Sequence, residues 1–126
     1  MFVMMVCFVM QFSIGVLGEV EAIKQMQNKG YSLIKQRYKN SEGEVDLIML
    51  DDALKTIIFC EIKSTTQTLI DFENIISQKQ WGRIINAAQM FFADEKYCKY
   101  AAYNMRFDAI FVQNGQVLKH IENIMF

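Results

Sequence analysis

Hydrophobic and polar positions run along the chain in two rhythms, which together predict elements in the order α-β-β-β-α-β-β. Residues 13–29 carry Val16, Val20 and Ile23 at helical spacing, and Gly30 supplies a natural stop. Residues 31–38 read as a strand with Lys35 and Arg37 on one face, and Lys39 to Gly43 as a turn. Residues 44–50 alternate with period two, which puts Val45, Leu47 and Met49 on one face and Glu44, Asp46 and Ile48 on the other. Asp51 to Lys55 is a hairpin connection, and residues 56–63 form a third strand rich in β-branched and aromatic side chains. Residues 65–72 are polar and read as a loop. Ser77 and Gln80 have the spacing of a capping box, and the helix they open carries a stripe of Trp81, Ile84, Ile85, Ala88, Phe91 and Phe92. Asp94 to Asn104 reads as a connection. Residues 107–113 form a fourth strand, Asn114-Gly115 a tight turn, and residues 116–121 a fifth strand.

Composition adds bounds to this α/β pattern. The 126 residues fit one domain, and 52% hydrophobic residues suffice for a core. With no proline, boundaries are marked by Gly, Asn, Asp and charge. A net charge of -1 excludes a protein that coats nucleic acid without selectivity, but not an enzyme with a local basic patch. Such a patch is visible: Lys24, Lys29, Lys35, Arg37 and Lys39 occur with no acidic residue from 24 to 39. This segment is able to track a nucleic-acid backbone, and an ordinary solvated face is its other reading. Cys7, Cys60 and Cys98 have no metal-like spacing and read as reduced thiols of a cytoplasmic protein, each a small buried hydrophobe.

The first ten residues, MFVMMVCFVM, are apolar throughout. They lack a basic leader region and fall short of the roughly 20 residues that span a bilayer, so no stable membrane insertion is expected. Three readings stand: an extra core element, a self-associating surface that makes a homodimer, or an extension ahead of a later start. The expected organisation is an apolar extension at 1–12 and a single domain at 13–126.

Candidate chemistry lies in the predicted hairpin. Glu61 and Lys63 are two apart on one strand and share a face. The midpoint between Asp46 and Glu61 falls inside the predicted turn at 51–55. A hairpin closing symmetrically there sets Asp46 opposite Glu61, with Cβ atoms about 4.5–5.5 Å apart. Two carboxylates that close need a counter-charge. Lys63 supplies some, and a divalent cation would supply more, since Mg²⁺ takes one or two carboxylates plus waters and substrate phosphate. A surface ion pair at the mouth of the hairpin is the competing account, because E-x-K is common by chance.

An Asp, a hairpin and then E-x-K resemble the signature of the PD-(D/E)XK, restriction-endonuclease-like superfamily. Further stretches resemble its bacterial YraN-type family, which is similar to archaeal Holliday-junction resolvases. They are Gly15-x-x-Gly18-Glu19-x-x-Ala22, Gly30-Tyr31, Gly43-Glu44-Val45-Asp46-Leu47-Ile48, and Phe59-Cys60-Glu61-Ile62-Lys63-Ser64. Lys79-Gln80 with Ala87, Arg106-Phe107-Asp108, and His120-Ile121-x-Asn123-x-x-Phe126 follow in order. The resemblance implies a restriction-endonuclease-like mixed central sheet of about five strands flanked by helices. It implies a metal-dependent nuclease acting on DNA, with RNA not excluded, and branched or structured DNA as a substrate.

The same resemblance implies roles. Asp46, Glu61 and the backbone carbonyl of Ile62 would hold Mg²⁺ or Mn²⁺. Lys63 would activate water or stabilise the transition state, and Glu19 would complete the acidic site. Gln78 and Lys79, at the start of the second helix, would hold a phosphate through the exposed N–H groups there. Apart from the resemblance, the basic segment puts Lys35, Arg37 and Lys39 forward as contacts to the nucleic-acid backbone. Two positions depart from the pattern: Thr65 stands where a basic residue often follows E-x-K, and Gly82 where a basic helix residue is common, though Arg83 is adjacent. Arg106 and Asp108 read as a structural ion pair or sheet-edge contact, and His120 as structural. A non-catalytic nucleic-acid-binding or adaptor protein on the same fold is the alternative.

Overall fold

The computed structural model describes residues 17–64 and 76–124. The N-terminal extension and the 65–72 loop expected from the sequence lie outside the described residues, as do Cys7 and Val16. The element order α-β-β-β-α-β-β is the one found. Helix α1 covers residues 17–28, followed by β1 (Ser32–Asn40), β2 (Gly43–Asp51) and β3 (Thr56–Ser64). Helix α2 (Gln78–Ala93), a 3-10 helix (Glu95–Tyr100), β4 (Asn104–Gln113) and β5 (Gln116–Ile121) complete the chain.

The five strands form one sheet in sequence order, β1-β2-β3-β4-β5. All neighbours are antiparallel except β3 and β4, which run parallel. A parallel pair needs a crossover, and α2 supplies it. The hairpin turns carry the chemistry their geometry demands. Asn40 Oδ1 accepts from the N–H groups of Glu42 and Gly43, closing the β1–β2 turn. Asn114 and Gly115 both take positive φ, 51° and 78°, as a two-residue hairpin that follows the strand twist requires. At the end of α1, Tyr31 N–H donates to the Met26 carbonyl and Gly30 N–H to that of Gln27, with Gly30 at φ 96°. This is the Schellman pattern.

Each helix covers one face of the sheet. Ala22 and Met26 of α1 pack with Leu47, Met49, Ile58, Cys60, Ile110 and Val112. On the opposite face Ile84, Ala87, Ala88 and Phe91 of α2 pack with Tyr38, Ile48, Ile57 and Phe59. Phe91 is the hub there, stacked on Tyr97 at 4.4 Å and edge-on to Phe59 and Tyr38 at 5.6 Å each. Such ring pairs add to the energy of burial.

Several expectations need correction. The buried stripe of α1 is Gly18, Ala22 and Met26, whereas Val20 is 44% exposed. Val45 packs with Ile48 and α2, not beside Leu47 and Met49. It pairs with Tyr38, next to the point where β1 is bent by Arg37 at φ 51°. The connection after α2 contains the 3-10 helix, and β4 begins at Asn104, not Phe107. Cys60 is buried as expected, but Cys98 is exposed. Among the described residues no helix is long and apolar enough to cross a membrane.

Candidate functional site

The β2–β3 register is the one a symmetric hairpin requires: Asp51 pairs with Thr56 and Leu47 with Cys60. One step further along, Asp46 comes opposite Glu61, and there the backbone ladder stops. The Ile62 N–H donates to Asp46 Oδ2 at 2.7 Å. A side chain has taken the donor that the neighbouring strand would have used. Beyond this point β3 continues to Ser64 paired with β4, so β2 and β3 part at the two acids.

The carboxyl groups of Asp46 and Glu61 hydrogen-bond to each other, and both resist ionisation. Glu61 is pushed up to about 8, first by burial, then by the Asp46 charge and the hydrogen bond to it, with Lys63 opposing. Asp46 is also raised by burial, against the hydrogen bonds from Ile62 and Glu61. The pair therefore holds a proton at neutral pH. Lys63, two residues on from Glu61, is half-buried on the same side of β3.

Two depressions adjoin the acids. The larger, about 300 Å³, is lined by Glu19, Arg37, Tyr38, Lys39, Glu44, Val45 and Asp46. Both oxygens of Glu19 are taken by Arg37, at 2.7 and 3.3 Å. Arg37 thus lines this depression while holding Glu19, and its guanidinium pK is raised first by the hydrogen bond it donates to that carboxylate. The smaller, about 40 Å³, is lined by Glu44, Glu61, Gln80, Arg83 and Ile84. Arg83 Nη2 donates to Glu44 Oε1 at 2.9 Å.

Other predicted residues stand around this centre. Ser77 caps α2, with Gln80 closing the capping box and lining the smaller depression with Glu61, while Gln78 and Lys79 are exposed in the first turn. Lys35 is exposed on β1 and lines neither depression. The Ile62 peptide lies beside Asp46 through its N–H. Glu44 and Arg83 were not singled out by sequence. For both a signal existed: Glu44 is two residues before Asp46 on one strand, and Arg83 adjoins Gly82, where the resemblance has a basic helix residue; only the pairing of the two, across 39 positions, had none.

The donor set can be tested against a divalent cation. Two adjacent carboxyls offer hard oxygen ligands, and their mutual proton is what a cation would replace. Among the described residues no three His, Cys, Asp or Glu side chains converge. Remaining positions would fall to water, a carbonyl and substrate oxygens, the mixed shell that Mg²⁺ favours. The residues present fit such an ion.

A second polar cluster is structural. Asp108 is fully buried and accepts from Arg106 Nε and Nη2, His120 Nε2 and the Asn123 N–H, all within 2.9 Å. Burial alone would raise its pK, but the bonds from His120, Arg106 and Asn123 hold it below the usual carboxylate range. Lys29 Nζ donates to His120 Nδ1, which ties in the end of α1. Cys60, whose position on β3 pairs with Asp108 on β4, is fully buried, and burial pushes its thiol well up.

Known proteins are similar to this chain over most of its length. A UPF0102 protein of Ehrlichia chaffeensis is 37% identical over 108 residues, 86% of this chain and 83% of that protein. One from Treponema denticola is 31% identical over 113 residues, 85% of each. One from Clostridium perfringens is 36% identical over 100 residues, 78% of this chain and 77% of that protein. The model of uncharacterised protein family UPF0102 matches residues 18–112, which include Glu19, both acids, Lys63 and Arg83. From these matches, the chain belongs to family UPF0102.

Proposed function

We propose that this chain is a Mg²⁺-dependent nuclease that hydrolyses phosphodiester bonds in DNA, with branched or otherwise structured DNA as its substrate class. The observation that carries the reading is the acid pair Asp46–Glu61 at the parting of β2 and β3, with Lys63 on the same side. A restriction-endonuclease-like fold of PD-(D/E)XK type accounts for the same elements. It expects a mixed sheet, a parallel pair crossed over by a helix, and the acids on the hairpin before that helix.

The chain's own groups divide the work. Asp46 and Glu61 would hold the ion, with the Ile62 carbonyl as a further ligand, their proton passing to solvent. Bound there, Mg²⁺ or Mn²⁺ would polarise a phosphoryl oxygen as a Lewis acid. Lys63 positions the attacking water or takes its proton. Arg37 and Lys39, on the wall of the larger depression, contact backbone phosphates, with Lys35 further out on β1. Glu19 holds Arg37 in place. Gln78 and Lys79 offer a second phosphate contact at the start of α2.

A screen of four-way junctions, flaps and plain duplex with Mg²⁺ and Mn²⁺ tests this. The expected result is metal-dependent cleavage that Glu61→Gln and Asp46→Asn slow by about 100-fold or more. Variants that cut as fast as the parent would show that the site is misassigned. The second reading, a DNA-binding or adaptor protein without catalysis, is favoured by one observation: Glu19 is engaged by Arg37. It expects binding that persists in EDTA and survives Lys63→Ala, with no cleavage of any substrate.

A further inference from the structure

Glu44 stands between the two depressions and lines both. In the smaller one it meets Arg83 at 2.9 Å. Exposure distinguishes this bond from a structural one. The Arg83 and Glu44 side chains are 52% and 51% exposed, and an ion pair so placed adds little to stability. Arg106 and Asp108, at 16% and 0%, show what a structural pair looks like in the same molecule.

The backbones under the pair are nonetheless fixed. A Cβ on Gly43 would lie 2.0 Å from the Arg83 carbonyl oxygen, so the start of β2 and the first turns of α2 are in direct contact. The guanidinium head can change partner while its base stays put. Glu61 and Gln80 share the depression with it, so an anion that reached Arg83 would lie in the same depression as Glu61, one of the proposed reacting acids.

We infer that Arg83 binds a phosphodiester of the DNA strand next to the one being cut, and that Glu44 is its displaceable counter-ion. This rests on the nuclease reading above and adds a residue pair to it. A guanidinium presents the same two parallel N–H groups to a phosphate as to a carboxylate. Phosphate therefore takes the place of Glu44 on Arg83 Nη2, the group that meets Glu44 here. The exchange also makes Glu44 a brake: DNA must displace a carboxylate before it gains the contact. Removing the carboxylate then tightens binding, whereas removing the guanidinium weakens it.

The test measures binding by fluorescence anisotropy in EDTA, where cleavage cannot interfere, with a labelled four-way DNA junction and a labelled duplex. Arg83→Ala is expected to weaken binding about tenfold and to flatten the dependence of log Kd on log salt by about one contact. Glu44→Gln is expected to tighten binding by about threefold. Glu42→Gln removes the same charge from the adjacent turn, where Glu42 forms no ion pair among the described residues, and is expected to act less. In the Arg83→Ala background, Glu44→Gln should fall to the Glu42→Gln effect. Thermal melting of each variant checks folding, which two half-exposed side chains should leave intact. Arg83→Ala binding like the parent, or Glu44→Gln matching Glu42→Gln in the parent background, overturns the inference and leaves the nuclease reading standing. A parent chain that binds neither DNA overturns both.

Discussion

Glu61 keeps its proton because burial and the Asp46 charge both oppose its ionisation. Its pK in the folded chain, about 8, stands well above the ordinary 4.5. The folded state therefore binds a proton more tightly than the unfolded state does. The resulting stability is full below about pH 4.5 and is lost as pH rises through about 8. In EDTA, Glu61→Gln should melt above the parent at pH 8, by about 1–2 kcal/mol after allowance for solvent screening, with the gap closing toward pH 5. Thermal melts of the two proteins across that range check it, and a parent that is as stable at pH 8 as at pH 5 would contradict it. The pairing of Asp46 with Glu61 was legible in the sequence because hairpin register depends on turn position and counting alone. Arg83 was visible only as a basic residue beside Gly82; its pairing was not legible, because Glu44 is brought to it by the packing of α2 on β2. The buried stripe of α1 was misread for a different reason. Gly18 and Ala22 bury by being small, and valine at position 20 is a louder hydrophobic signal than either.

Among the elements, the contact of β2 with α2 is the one that sets the site. Gly43 allows it, since nothing larger than hydrogen fits against the Arg83 carbonyl. Gly43→Ala should destabilise the fold by about 1–3 kcal/mol, because backbone on both sides has to move. Gly82, one residue before Arg83, has open space where its Cβ would be. Gly82→Ala should instead stabilise α2 by up to about 1 kcal/mol, as alanine does in a helix interior. Urea denaturation of the two variants measures both, and equal shifts of the same sign would refute the packing argument. The capping box at Ser77 and Gln80 and the Asn114-Gly115 hairpin could be read directly, because each is decided by residues within a few positions of one another. The first residues of β4 could not. Asn104 and Met105 are exposed, and they join the strand only by pairing with Thr56 and Ile57, far back in the sequence.

At the scale of the whole molecule, the sheet is assembled from near neighbours and one distant pair. The β1–β2–β3 meander closes through residues 41–42 and 52–55, whereas β3 and β4 are separated by residues 65–103. Asp108 secures the distant half by gathering Arg106, His120 and the Asn123 N–H onto β4. Short loops close early and long ones late, because the entropy of closure precedes any gain from the contact. The meander should therefore acquire protected amides before β4 in pulsed hydrogen exchange during refolding, and the reverse order would contradict this. The parallel pairing has a further consequence, which concerns synthesis. Until β4 arrives, β3 is an open edge, and Thr56-Ile57-Ile58-Phe59-Cys60 on it is a run without proline, glycine or charge. Such an edge is a template for aggregation. Glu61 and Lys63, which close that run, are the first charges on it. The residues proposed for chemistry in the finished protein thus also stand as gatekeepers of the unfinished one.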